Sequence, residues 1–218
     1  MKTLLLSLLA SAVLPLFASP VKVILDTDML TDFDDVGALA CLHALADAGE
    51  CEILATVSCT RGNASTAAIG VINGYYGRAE LPVGWAKGMG VIGAYAGDVY
   101  AGRAIAEMEG PRNPVKDVFA GNIPSREEVR KDPGKWRDWC FGMGGRAAWD
   151  ETAVLAAVRG EESYFNVHRG TYKMIGDTGE NVWLPDEENG PHLRITEKVN
   201  KLEVAKVIDE LICRPPAK

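Results

Sequence analysis

Val21-Lys22-Val23-Ile24-Leu25-Asp26-Thr27-Asp28-Met29-Leu30-Thr31-Asp32-Phe33-Asp34-Asp35-Val36-Gly37-Ala38-Leu39 is the stretch on which the reading of this chain turns. The apolar run 21–25 predicts a buried strand. Five aspartates crowd the ten residues from Asp26 to Asp35. Beyond them, Val36, Leu39, Ala40, His43 and Ala44 recur at helical spacing, which predicts a helix over 34–48 with Gly49 as its stop. A strand therefore empties into an acidic loop that opens a helix. Carboxylates packed so closely at one strand end repel each other unless a cation sits among them. Hard oxygen ligands at that density select calcium or magnesium over zinc. A solvated acidic loop is the plainer alternative, but one helix cap would account for only one of the five.

Working outward, residues 52–58 read as a second strand, 64–76 as a second helix and 81–85 as a short third strand. That alternation predicts an α/β fold, an open and mostly parallel sheet with flanking helices. Ligands of such sheets bind beyond the carboxyl ends of the strands, the edge that holds both the aspartate loop and Asn63. Further on, helix is expected over 99–108, around 115–120 and over 150–158. Ser125 and Glu128 have capping-box spacing ahead of a charged surface helix, and 142–145 reads as a loop. Short strands at 164–167, 171–175 and 192–195 precede an amphipathic helix at 201–211. There is no internal repeat.

The chain has 218 residues, 47% of them hydrophobic, which suits a single domain with a sizeable core. Its net charge of −7, without any basic cluster, argues against a nucleic-acid partner or an anionic membrane surface. Residues 1–19 have the short basic start, apolar stretch and small residues near Ala18 and Ser19 of a secretory signal peptide. The expectation is export to a periplasmic or extracellular space, no stable membrane partner, and one folded domain over 20–218. The five cysteines are unevenly spaced, without a zinc pattern, and leave room for one disulfide, such as Cys140 with Cys213. His43 reads as a core histidine, and His168 and His192 as surface residues. Trp136, Trp139 and Trp183 read as packing residues.

The run from Val23 to Leu39 resembles the signature of the inosine–uridine-preferring nucleoside hydrolase family, in the variant with a two-residue insertion before the last aspartate pair. Ala55-Thr56-Val57-Ser58-Cys59-Thr60-Arg61-Gly62-Asn63 is similar to that family's second strand and its asparagine. Trp149-Asp150-Glu151-Thr152-Ala153-Val154-Leu155 is similar to the late segment that carries a further metal-binding aspartate. The resemblance implies a Rossmann-like core and calcium-dependent hydrolysis of the N-glycosidic bond of ribonucleosides. Asp28 would then bind Ca2+ and act as the general base on water. Asp35 would be a second, bidentate ligand and Asp150 a third. Asp34 and Asn63 would hold the ribose hydroxyls, Trp149 could stack on the base, and Asp26 would support the loop. The implied partner is a small nucleoside or ribosyl compound, and related enzymes often form homo-oligomers.

Residues 21–95 follow the family's first half and 99–211 its last part, without the long central segment between them. That segment carries central strands, a threonine carbonyl of the calcium shell and two residues that grip the sugar. Its loss predicts two exposed sheet edges or an unusual pairing. Trp149 stands where many members have a histidine associated with protonating the leaving base. A catalytically inactive calcium- or sugar-binding remnant of the fold is therefore the second reading. Asp26-Thr27-Asp28 also echoes the D-x-D opening of aspartate-nucleophile phosphatases, but the aspartate pair that opens the helix suits the hydrolase better.

Overall fold

The computed structural model describes residues 19–29, 33–60, 64–86, 100–122, 146–176 and 180–217. Strand β1 (Val21–Thr27), helix α1 (Asp34–Asp47), β2 (Cys51–Ser58), α2 (Ala64–Tyr75) and β3 (Val83–Trp85) follow in the expected alternation. The three strands form a parallel sheet in the order β1-β2-β3. Right-handed crossovers moving one way along a sheet put both helices on the same face. In keeping with this, α1 and α2 touch each other as well as the strands.

The expectation of a buried first strand is only half right. Val23, Leu25 and Thr27 turn inward, whereas Val21 and Ile24 are exposed, Ile24 to 60%. Parallel sheets are ordinarily covered on both faces, and here the described helices cover one. Pairing slips between Val23 and Ile24, where Leu54 is the extra residue on β2. That bulge reverses the alternation, so Cys51 and Ile53 are buried before it, and Thr56 and Ser58 after it. Among the described residues β1 and β3 are the sheet's two edges.

Helix α1 is the hub of the molecule. Apolar residues at helical spacing marked one buried face, yet every residue from Asp34 to Leu45 is buried. It packs against β2, α2, α4 (Pro114–Asn122), α5 (Trp149–Arg159) and α6 (Lys201–Ile212). Small residues (Gly37, Ala38, Ala40, Ala44) let these neighbours approach from all sides. At the far end of α5, Arg159 grips both carboxylate oxygens of Glu50 at 2.8 and 2.9 Å, tying it to the α1–β2 turn.

The middle of the chain departs from the helix expected over 99–108. A two-residue strand β4 (Tyr100–Ala101) pairs antiparallel with β5 (Arg146–Ala147), and only α3 (Arg103–Glu107) is helical. Gly102, with φ +86°, makes the corner between them. Around 115–120 the helix is longer than expected, as α4. Near the end, the two short strands expected at 164–167 and 171–175 are one strand, β6 (Phe165–Ile175). It lies between β7 (Glu180–Pro185), which the sequence did not suggest, and β8 (His192–Glu197). The result is α/β: a three-stranded parallel sheet flanked by helices, with a separate antiparallel sheet. Cys41, Cys51, Cys59 and Cys213 are free thiols, and Cys140 lies outside the described residues. No described helix is long and apolar enough to cross a membrane.

Candidate metal centre

Three regions of sequence bring carboxylates to one point. Asp28 follows the end of β1, Asp35 lies in the first turn of α1 and Asp150 in the first turn of α5. One carboxylate oxygen from each lies within 4.8 Å of the other two. Oxygens on opposite sides of a calcium at 2.3–2.6 Å stand about 4.6–5.2 Å apart, so a hard cation of that size fits between them. Among the described residues this is the one such group of acidic or metal-ligating side chains.

The three carboxylates differ in surroundings. Asp28 and Asp150 are half-buried, while Asp35 is 1% exposed. The Thr27 hydroxyl donates to Asp35 Oδ1 and itself accepts from Met29 N–H at 3.2 Å, which locks the β1 exit against α1. Asp35 Oδ2 is buried with no hydrogen-bond donor among the described residues. Burial pushes the Asp35 carboxyl up to about 8; the Thr27 hydroxyl opposes this, and the negative charge of Asp150, hydrogen bonding with the Asp150 carboxyl and then the charge of Asp28 add to it. A buried carboxylate oxygen lacking a donor and facing two like charges is what a bound cation would satisfy.

Asp34 is also 1% exposed. Its Oδ2 accepts from the backbone N–H of Trp149 at 3.1 Å. The N-cap of α5, Ala148, offers no capping side chain, so the helix's first amide is satisfied by a carboxylate of another helix. The residue expected to hold ribose is thus also a structural cap. Trp149 is half-buried beside Asp150, and Asp26 is exposed at the end of β1. Asn63 and Asp32 lie outside the described residues, as do Trp136 and Trp139.

Glu151 is the residue that sequence reasoning missed. It is 1% exposed, and burial, followed by the charge of Asp34, holds its carboxyl well above the usual range. Nothing in a single sequence distinguishes it from the solvated glutamates common in first helical turns.

A groove of about 330 Å³ runs from Asp35 and Asp150 along β1. Val23, Leu25, Ala153, Val154 and Ala157 form its apolar wall, and Asp26, Asp35 and Asp150 its acidic end. Its volume is at the lower limit of small-molecule sites. Comparison with family models, with curated proteins and with solved structures finds no match for this chain.

Proposed function

We propose that this chain is a calcium-dependent hydrolase of the N-glycosidic bond of ribonucleosides or close ribosyl analogues, releasing base and ribose. One observation carries the reading: the three aspartates singled out by the sequence signature converge, and the most buried of them keeps an oxygen without a donor. The signature in the sequence adds the substrate class. The Rossmann-like core implied by that resemblance is part of the same proposal, as is export by the leader at 1–19.

Asp28, Asp35 and Asp150 would hold Ca2+. Bound there, the ion supplies acidification of water and a grip on a sugar diol. Asp28, the more accessible partner of buried Asp35, takes the proton of the attacking water as general base. Ribose gains positive character as the bond to the base breaks, and the surrounding carboxylates stabilise that charge. The apolar wall of the groove receives the base, next to half-buried Trp149. Trp149 donates no proton as an acid does, so bases that leave readily as anions, or that are protonated by solvent, are the favoured substrates.

The second reading, a binding remnant without turnover, is favoured by the edge position of β1 among the described residues, in line with the central strands that the resemblance implies are missing. Ribose release from a nucleoside panel, with Ca2+ and with a chelator, separates the two. Calcium-dependent release that disappears in Asp28→Asn supports the hydrolase. A protein that Ca2+ stabilises against melting but that releases no ribose is the remnant.

A further inference from the structure

Asp150 lies between two residues that both reach back to the first turns of α1. On one side the Trp149 N–H donates to Asp34 Oδ2 at 3.1 Å. On the other, the Glu151 side chain enters a notch that exists because residue 37 is glycine. A Cβ on Gly37 would collide with Glu151 Oε1, and would stand 2.9 Å from its Cδ and 3.0 Å from Phe119 Cζ. The notch is on the face of α1 packed against α5, two residues beyond Asp35.

Space-filling alone does not account for a glutamate here. A leucine or methionine would fill the notch without burying a carboxyl, which is costly unless its oxygens are used. The N–H of its own residue, one of the free amides of the first turn of α5, eases that cost, while Oε2 is buried with no donor among the described residues. A side chain whose carboxyl is seated against α1 at Gly37 fixes the rotation and depth of the α5 turn that carries it.

We propose that Glu151 is a positioning residue of the cation site: by wedging into the Gly37 notch it sets the first turn of α5 so that Asp150 meets Asp28 and Asp35. The inference rests on the cation reading given above. The competing role is that of a direct ligand, in which a Glu151 oxygen would itself contact the ion.

Ca2+ titration of the full chain by calorimetry tests this, with the melting temperature of each variant measured separately in chelator. Glu151→Gln keeps length and an accepting oxygen, and its Kd is expected within about threefold of wild type. Glu151→Ala, and Gly37→Ala, which expels the wedge, are each expected to weaken binding about 10- to 100-fold, the range for residues that orient metal ligands. If Glu151→Ala does not fold, Glu151→Asp, which withdraws the carboxyl from the notch by one methylene, is measured in its place, and weaker binding is expected there too. A wild-type Kd in a folded Glu151→Ala or Glu151→Asp, even with a lowered melting temperature, overturns the proposal and leaves only a packing role. A loss in Glu151→Gln as large as in Glu151→Ala overturns it in favour of a ligand. If wild type itself binds no Ca2+, the cation reading falls and this inference with it.

Discussion

Asp34 serves two helices at once, as a first-turn acid of α1 and as the cap of α5. Replacing it with alanine removes the acceptor of the Trp149 amide, and such caps contribute about 1–2 kcal/mol. Asp34→Ala should lower the urea midpoint in chelator accordingly, while Asp34→Asn, which keeps an accepting oxygen, should recover most of the loss. Equal midpoints for all three proteins would show that the cap contributes nothing. His43 tests a different part of α1. It is fully buried, stacks on Tyr76 at 4.6 Å and pairs its Nε2 with Asn73 Oδ1 at 2.9 Å. The Arg78 guanidinium faces its Nδ1 at 3.3 Å and also pairs with Asp47. Burial pushes His43 down to about 4, from 6.5. A neutral folded histidine contributes stability that is complete above pH 6.5 and is lost as pH falls from 6.5 toward 4, where the unfolded chain takes up the proton first. The full swing is roughly 3 kcal/mol. Urea midpoints of wild type should therefore fall more steeply over that window than those of His43→Gln; parallel curves would remove His43 as the cause.

Gly102 shows how much one position can decide for an element. Its φ of +86° suits glycine, and a Cβ there would run into the Phe119 ring. Its N–H donates to Asp209 Oδ1 at 2.6 Å, so the same corner ties α3 to α6. Gly102→Ala should cost more than about 2 kcal/mol, strain and overpacking together, by thermal or urea unfolding; a cost below half of that would mean that the corner relaxes. Such corners are where the sequence was hardest to read. The repeating elements were legible because their apolar periodicity is strong: β1, α1, β2, α2, α5 and α6 all lie within two residues of their expected bounds. The helix expected over 99–108 failed because its apolar residues do not reveal a turn that depends on φ at one glycine. Strand β6 was read as two because Gly170 interrupts its pattern. Gly170 is needed there, since a Cβ would run into the Leu184 carbonyl and the Trp183 ring. Strand β7 was missed because its only strong mark is the cross-strand meeting of Trp183 with Tyr172, 4.8 Å between ring centres, which local sequence does not announce. At the site, aspartates in a dense run could be read as ligands, but Glu151 acquires its character from Gly37, over a hundred residues away.

At the scale of the whole molecule, stability is unevenly spread. Helix α1 is enclosed by strands and helices, whereas β7, β6 and β8 contact chiefly one another. Phe165 is buried at the base of that sheet, but Tyr172, Met174, Ile175, Val182, Leu184 and Leu193 remain exposed farther along it. Apolar residues left in water contribute little to holding a sheet together, and segments with few buried contacts open without global unfolding. Amide hydrogen exchange should therefore be slowest in peptides of α1 and β2, and orders of magnitude faster over 171–184. Uniform slow exchange in both regions, in dilute protein, would show that the outer sheet has a covering that these contacts do not reveal. A second copy of the chain is the simplest such covering, in line with the oligomers expected from the sequence resemblance, and it makes its own demand: protection over 171–184 would have to fall on dilution while protection of α1 stayed constant. Protection that is independent of concentration would instead assign the cover to this chain itself. Adding Ca2+ sharpens the contrast, because a cation held by Asp28, Asp35 and Asp150 clamps β1, α1 and α5 and touches none of the outer strands. Slowed exchange confined to those three elements would locate the ion, and slowing over 171–184 as well would require the outer sheet to be coupled to the site.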